Sequence, residues 1–156
     1  MKRLSLNKQI LQDQLNVELI GCIDEDADFK ELIGLEQKNI TFDFSQVTMI
    51  NSCGIREWIK FLEKIPEKST MTYTNCTQII IEQINMVHGF IRKGATIKSF
   101  YAPYFCEKCN KESKIHLEAD QVKNRKAPKA DCPHCGAENM DFDAIEGQYF
   151  SFIGKT

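Results

Sequence analysis

No apolar run in the 156-residue chain approaches the roughly 18 residues needed to span a bilayer, so an ordinary transmembrane helix is excluded. The opening stretch Met1-Lys-Arg-Leu-Ser-Leu-Asn-Lys8 is basic but has no continuous apolar segment behind it, which is not the form of a secretory leader; a cytoplasmic protein is expected. An excess of positive charge is also missing. Lys and Arg number 20 against 22 Asp and Glu, a net charge of −2, without the broad basic footprint of a dedicated nucleic-acid binder. There is no internal repeat and no low-complexity tract. There is no recognisable Ser-His-Asp arrangement, glycine-rich phosphate loop or signature pair of acids, so an enzyme is the least favoured reading. What remains, 42% hydrophobic and 27% charged residues, is ordinary for a globular chain with one domain, or one plus a small module.

The cysteines are distributed unevenly. Cys22, Cys53 and Cys76 are scattered, whereas Cys106-Glu-Lys-Cys109 and Cys132-Pro-His-Cys135-Gly136 form two tight pairs with 22 residues between them. In a reducing compartment such pairs point to metal rather than disulfides. A two-residue gap lets both thiolates of a knuckle reach one ion at about 2.3 Å, and two knuckles complete a tetrahedron. Structural zinc on Cys106, Cys109, Cys132 and Cys135 is the preferred reading. Two disulfides and an iron–sulfur cluster stand behind it, and catalytic zinc is disfavoured because four cysteines close the shell. Gly136 suits a tight knuckle turn. His116 and His134 are read as surface residues rather than ligands. Residues 113–119 and 149–153 read as short strands, giving a β zinc ribbon over residues 104–156. A module that small has little core of its own and commonly uses a metal to compensate.

Residues 1–103 read as a separate α/β unit, with Pro103 at the boundary because the residue before a proline is pushed towards extended conformations. Strand signals at 16–23, 40–44, 70–74 and 96–101 alternate with helical signals. Asp28 with Glu31 suggests a capped short helix. Ile55, Trp58, Ile59, Leu62 and Ile65 share a helical face that Pro66 ends. Asn75 opens a helix carrying Ile80, Ile81, Ile84 and Val87, with Gly89 at its end. Trp58 is expected in the core and His88 beside the last helical carbonyls.

Ile40-Thr-Phe-Asp-Phe-Ser-Gln-Val-Thr-Met-Ile-Asn-Ser-Cys-Gly-Ile55 resembles the signature of the STAS domain, found in anti-sigma factor antagonists and in the tails of sulfate transporters. Gly21-Cys-Ile-Asp24 is similar to that family's Gly-x-Leu-Asp strand end, and the likeness extends over residues 4–103. It implies a STAS-like mixed sheet with helices and a protein partner, such as an anti-sigma factor or related kinase-like protein. The partner would bind around residues 48–56, through Asn51, Ser52, Cys53, Gly54 and Arg56. In phosphoswitching members the Ser or Thr before the Gly accepts phosphate. Here it is Cys53, and Asn51 replaces the family's Asp, so the usual switch is not expected.

Asn51 and Ser52 are also good helix caps. Cys53 is either a small corner residue or a reactive thiol at a helix start. Free N–H groups there would suit an acidic partner side chain. The leading expectation is a non-enzymatic regulatory adaptor, with homo-oligomerisation left open. Behind it stand a nucleic-acid-binding ribbon using the Lys123–Lys129 loop, and a thiol redox sensor using Cys53. That loop is better read as solvated, and nucleic acid as a partner is disfavoured.

Overall fold

A computed structural model of the chain describes residues 2–35 and 37–153. Strands β1 (Ser5–Leu11), β2 (Gln14–Ile23), β3 (Asn39–Ile50), β4 (Thr70–Thr74) and β5 (Thr96–Ile97) form one sheet in the order β1-β2-β3-β4-β5. β1 and β2 are antiparallel, and every later neighbour in this sheet is parallel. A second, antiparallel sheet has the order β7-β6-β8, from β6 (Ser99–Cys106), β7 (Lys111–Glu118) and β8 (Asp141–Phe142). Helix α1 (Ser52–Glu63) joins β3 to β4, α2 (Gln78–Met86) joins β4 to β5, and α3 (Glu146–Tyr149) lies near the chain end. The expected α/β class with a mixed sheet is what the chain adopts.

The parallel strands advance in one direction across the sheet. Right-handed crossovers then place every connecting helix on the same face. The strand pattern matches this one-sidedness. Leu15, Val17 and Leu19 of β2, Ile40, Phe42 and Phe44 of β3, and Met71 and Tyr73 of β4 are buried towards the helices. The residues between them point the other way and are polar. One row crosses five strands as Gln9, Asn16, Thr41, Thr72 and Thr96. The next runs Asn7, Glu18, Asp43 and Thr74.

Between sheet and helices lies an aromatic core. Trp58 has no solvent exposure and meets Phe42 edge-on, with ring centroids 5.0 Å apart. Its indole N–H donates to Phe90 O at 3.0 Å, and Tyr73 Oη donates to the same carbonyl at 2.8 Å. Both polar ends are therefore satisfied inside the core, where an unpaired donor would be costly. Burial raises the Tyr73 hydroxyl far above its ordinary range, so it stays a neutral donor.

Several local expectations need correction. β1 is a strand that no sequence expectation covered: it carries no clear apolar alternation and is mostly exposed, and pairing with β2, not its own pattern, makes it a strand. Asp28 Oδ1 does accept from Lys30 N at 2.9 Å, but the helix it introduces is only a short 3₁₀ turn at Lys30–Leu32, without the expected capping box. Residues 149–153 are not a strand. α3 and a 3₁₀ turn at Phe150–Phe152 bury Tyr149, Phe150 and Phe152 together against Phe100, whereas a strand would send neighbours 149 and 150 to opposite faces. Asn75 sits in the left-handed region at φ 52°, and the helix cap is Thr77. Pro103 is buried within β6, which runs unbroken across position 103. Residues 154–156 of the expected ribbon lie outside the described residues.

The two sheets meet along one seam. Cys76 N donates to Ser99 O at 3.1 Å and Tyr101 N to Cys76 O at 2.8 Å, so β6 continues the hydrogen bonding of the β4 end. Asn85 Nδ2 of α2 donates to Tyr149 O at 2.9 Å, and Tyr149 Oη donates to Tyr101 O at 2.6 Å.

Candidate functional site

The four paired cysteines converge. Cys106 ends β6, Cys109 lies in the turn leading to β7, and Cys132 and Cys135 come from the loop before β8. Cys106 Sγ and Cys135 Sγ are 3.6 Å apart, as are Cys109 Sγ and Cys132 Sγ, and all four sulfurs lie within 4.8 Å of one another. A tetrahedral ion with metal–sulfur bonds of about 2.3 Å has sulfur–sulfur edges of about 3.8 Å, so these four can hold one metal ion.

Each knuckle has the same backbone. Asn110 N donates to Cys106 O at 2.8 Å, and Gly136 N donates to Cys132 O at 3.0 Å. Both donors lie just after the second cysteine and in the left-handed region, Asn110 at φ 61° and Gly136 at φ 77°. The left-handed turn is what brings the two thiols of a pair to one side. Gly136 was legible in the sequence. Asn110 was missed, although asparagine tolerates that conformation best after glycine.

The sulfurs differ in environment. Cys106 and Cys132 are buried, Cys109 is half-buried and Cys135 is exposed. Burial would raise the Cys132 thiol, but the backbone N–H groups of Cys135 and His134 outweigh it, with help from the Cys109 and Cys106 thiols, and bring it down to about 6. The His134 N–H donates to Cys132 Sγ at 3.4 Å. Desolvation, then the neighbouring thiols, push Cys109 up to about 12. His134 thus supports the site through its backbone. His116 stands elsewhere, its Nε2 2.8 Å from Asn75 Oδ1 on the seam between the sheets.

The second predicted site is the corner where β3 turns into α1. Asn51 is the helix cap: its Oδ1 accepts from Gly54 N at 2.8 Å and its backbone N donates to Ile23 O at 3.2 Å. Gly54 is buried against the end of β2. A Cβ there would stand 1.9 Å from Ile23 O, so only glycine lets α1 start this close to the sheet. Ser52 and Arg56 are exposed and Cys53 is half-buried. Of the five residues, Gly54 serves packing, Asn51 serves capping, and Ser52, Cys53 and Arg56 reach the surface.

A neighbouring acidic group was not foreseen. Oxygens of Asp24, Glu25 and Asp26 lie within 4.8 Å of one another, and Glu25 Oε2 accepts from Asn51 Nδ2 at 3.1 Å. A backbone hydrogen bond at Glu25, then the Asn51 amide, hold its carboxyl below the usual carboxylate range. The positive end of α1 is therefore already faced by the chain's own carboxylates. This removes the electrostatic reason for expecting an acidic partner group there. The signal was present as Asp24-Glu25-Asp26, but only the fold brings it beside Asn51.

Among the described residues no helix is long and apolar enough to cross a membrane. No protein-family model matches the chain, and no curated protein matches it.

Proposed function

We propose that this chain is a non-enzymatic regulatory adaptor of the anti-sigma-factor-antagonist kind. Its STAS-like part binds a protein partner at the start of α1, and a structural zinc ion sits on Cys106, Cys109, Cys132 and Cys135. The observation that carries the reading is the β3–α1 corner. The motif strand runs into an Asn51-capped helix whose start presents Ser52 and Cys53, with Arg56 one turn further on, while Gly54 fixes the first turn on the end of β2. The mixed sheet around it is the architecture that the resemblance implies. With Asp24, Glu25 and Asp26 alongside, the partner offers basic or neutral groups to the Asn51 end of this surface and a hydrogen-bond acceptor, such as a carboxylate, to Arg56. Arg56, one turn into the helix, supplies a charged contact at the rim.

Zinc is the ion proposed because four thiolates in a closed tetrahedron are its usual structural site, and such an ion contributes folding energy rather than chemistry. Four cysteine ligands leave no open position for a substrate.

The test is affinity capture from native lysate with wild type and with Cys53→Glu and Arg56→Glu, separately and together. Recovery of a kinase-like anti-sigma factor by wild type, and its loss from the variants at unchanged circular dichroism and metal content, supports the reading. Equal recovery by all forms moves the interface away from α1.

A further inference from the structure

We propose a second interaction surface, on the helix-free face of the five-stranded sheet, that takes an extended basic segment of a partner polypeptide. Parallel strands are ordinarily covered on both faces. Here one-way crossovers put α1 and α2 on one side, and the strands alternate accordingly, so the polar face is a product of topology and sequence together.

Near the middle of this face is a shallow hollow with a cavity volume of about 340 Å³. Glu18 and Asp43 line it, flanked by Asn7, Asn16, Thr41 and Thr74. The two carboxylates are paired in register on adjacent strands, which lie about 4.8 Å apart, so two like charges stand side by side. No Lys or Arg lines the hollow, and among the described residues neither carboxylate has an ion-pair partner. Asp43 Oδ1 accepts from Ser45 N at 2.9 Å, which positions this group without neutralising it. A like-charge pair held in a hollow that offers no counter-charge is complementary to a cationic guest.

The surroundings narrow the guest further. Amides and hydroxyls around the hollow can pair with peptide N–H and C=O groups without any apolar anchor. The lining has no aromatic ring on which a sugar or a base would stack. Its negative charge repels nucleic acid and also a second copy of the same face. Arginine suits it best, because a guanidinium carries several donors in a fixed fork that carboxylates accept. This surface is independent of the α1 start, which lies on the helical side.

The test is fluorescence anisotropy of a labelled Arg-Ser repeat peptide of about nine residues, roughly 30 Å when extended, against the full-length metal-loaded protein. It is run at about 0.15 M salt, where general attraction to an acidic protein is largely screened. Wild type is expected to bind saturably. Glu18→Gln with Asp43→Asn should weaken binding about tenfold or more, while Glu63→Gln with Glu67→Gln removes the same charge elsewhere and should change it less than about twofold. Amide NMR shifts on peptide addition should fall on Asn16 and Thr41. Absence of wild-type binding, or equal weakening by both variant pairs, overturns the proposal. So does tight binding of spermidine at the hollow without the peptide, which would make the guest a free polyamine.

Discussion

Gly54 and Asn51 show how little freedom the β3–α1 corner has. Gly54→Ala forces a methyl group into the Ile23 carbonyl, where a Cβ would lie 1.9 Å from the oxygen. Backbone has to move, and we expect a loss of about 2–3 kcal/mol, a fall in Tm of roughly 5–10 °C by thermal denaturation. Asn51→Ala removes the cap and should cost about 1 kcal/mol. The same substitution has a pH signature. Because Glu25 is held below its usual range partly by Asn51, it adds stability above its unfolded pKa that is lost as pH falls through the folded one. Stability of Asn51→Ala measured across the acid range should therefore fall less steeply than that of wild type. An asparagine also suits the position at which the STAS resemblance would place an aspartate. A neutral amide accepts from Gly54 N and donates to Glu25, whereas a carboxylate would be a fourth negative group beside Asp24, Glu25 and Asp26. At position 53 no hydroxyl is available, and phosphopeptide mapping of protein from its native host should find no phosphate there.

At the scale of elements, the metal knuckles, α1, β4 and residues 40–44 of β3 were legible because each has a strong local signal, a fixed ligand spacing, a helical apolar stripe or strict alternation, whereas the continuation of β3 to Ile50 was not. β1 and the 149–153 segment were not, because partners decide them. β1 borrows its conformation from β2, and Tyr149, Phe150 and Phe152 fold into a turn because Phe100 and Phe142 offer a shared pocket. The acidic group beside Asn51 was unreadable for a similar reason, since 26 positions separate Asn51 from Glu25 in the chain. The metal site itself makes two predictions. Protein purified under reducing conditions should contain about one zinc per chain by elemental analysis, and Cys132→Ser should lose it. Binding must expel the proton that Cys109, pushed up to about 12, holds at neutral pH. Metal affinity should therefore rise with pH through the neutral range in a chelator competition assay, and its fall towards acid should steepen below about pH 6, where Cys132 also takes up a proton.

For the whole molecule, the seam between the sheets matters more than the change in composition along the chain. Phe100 of β6 packs on Tyr149, Phe150 and Phe152, α2 is tied to Tyr149, and β6 carries residues from both sides of position 103. The buried residues form one cluster that runs from Leu15 to Phe152. We therefore expect a single cooperative unfolding transition whose midpoint drops when the metal is chelated. Scanning calorimetry with and without chelator checks this, and two separate transitions, only one of them metal-sensitive, would show two independent units.

The first knuckle is also the connection of a hairpin: β6 ends at Cys106, β7 begins at Lys111, and Cys106 is paired with Lys111. Hairpins of this kind close in about 1–10 μs. Half of the coordination shell can thus assemble from neighbouring residues before the remote second pair arrives. An ion captured by Cys106 and Cys109 would then act as a tether, shortening the search that Cys132 and Cys135 must make. Metal supplied during refolding should therefore quicken the reaction, and metal supplied afterwards should only stabilise its product.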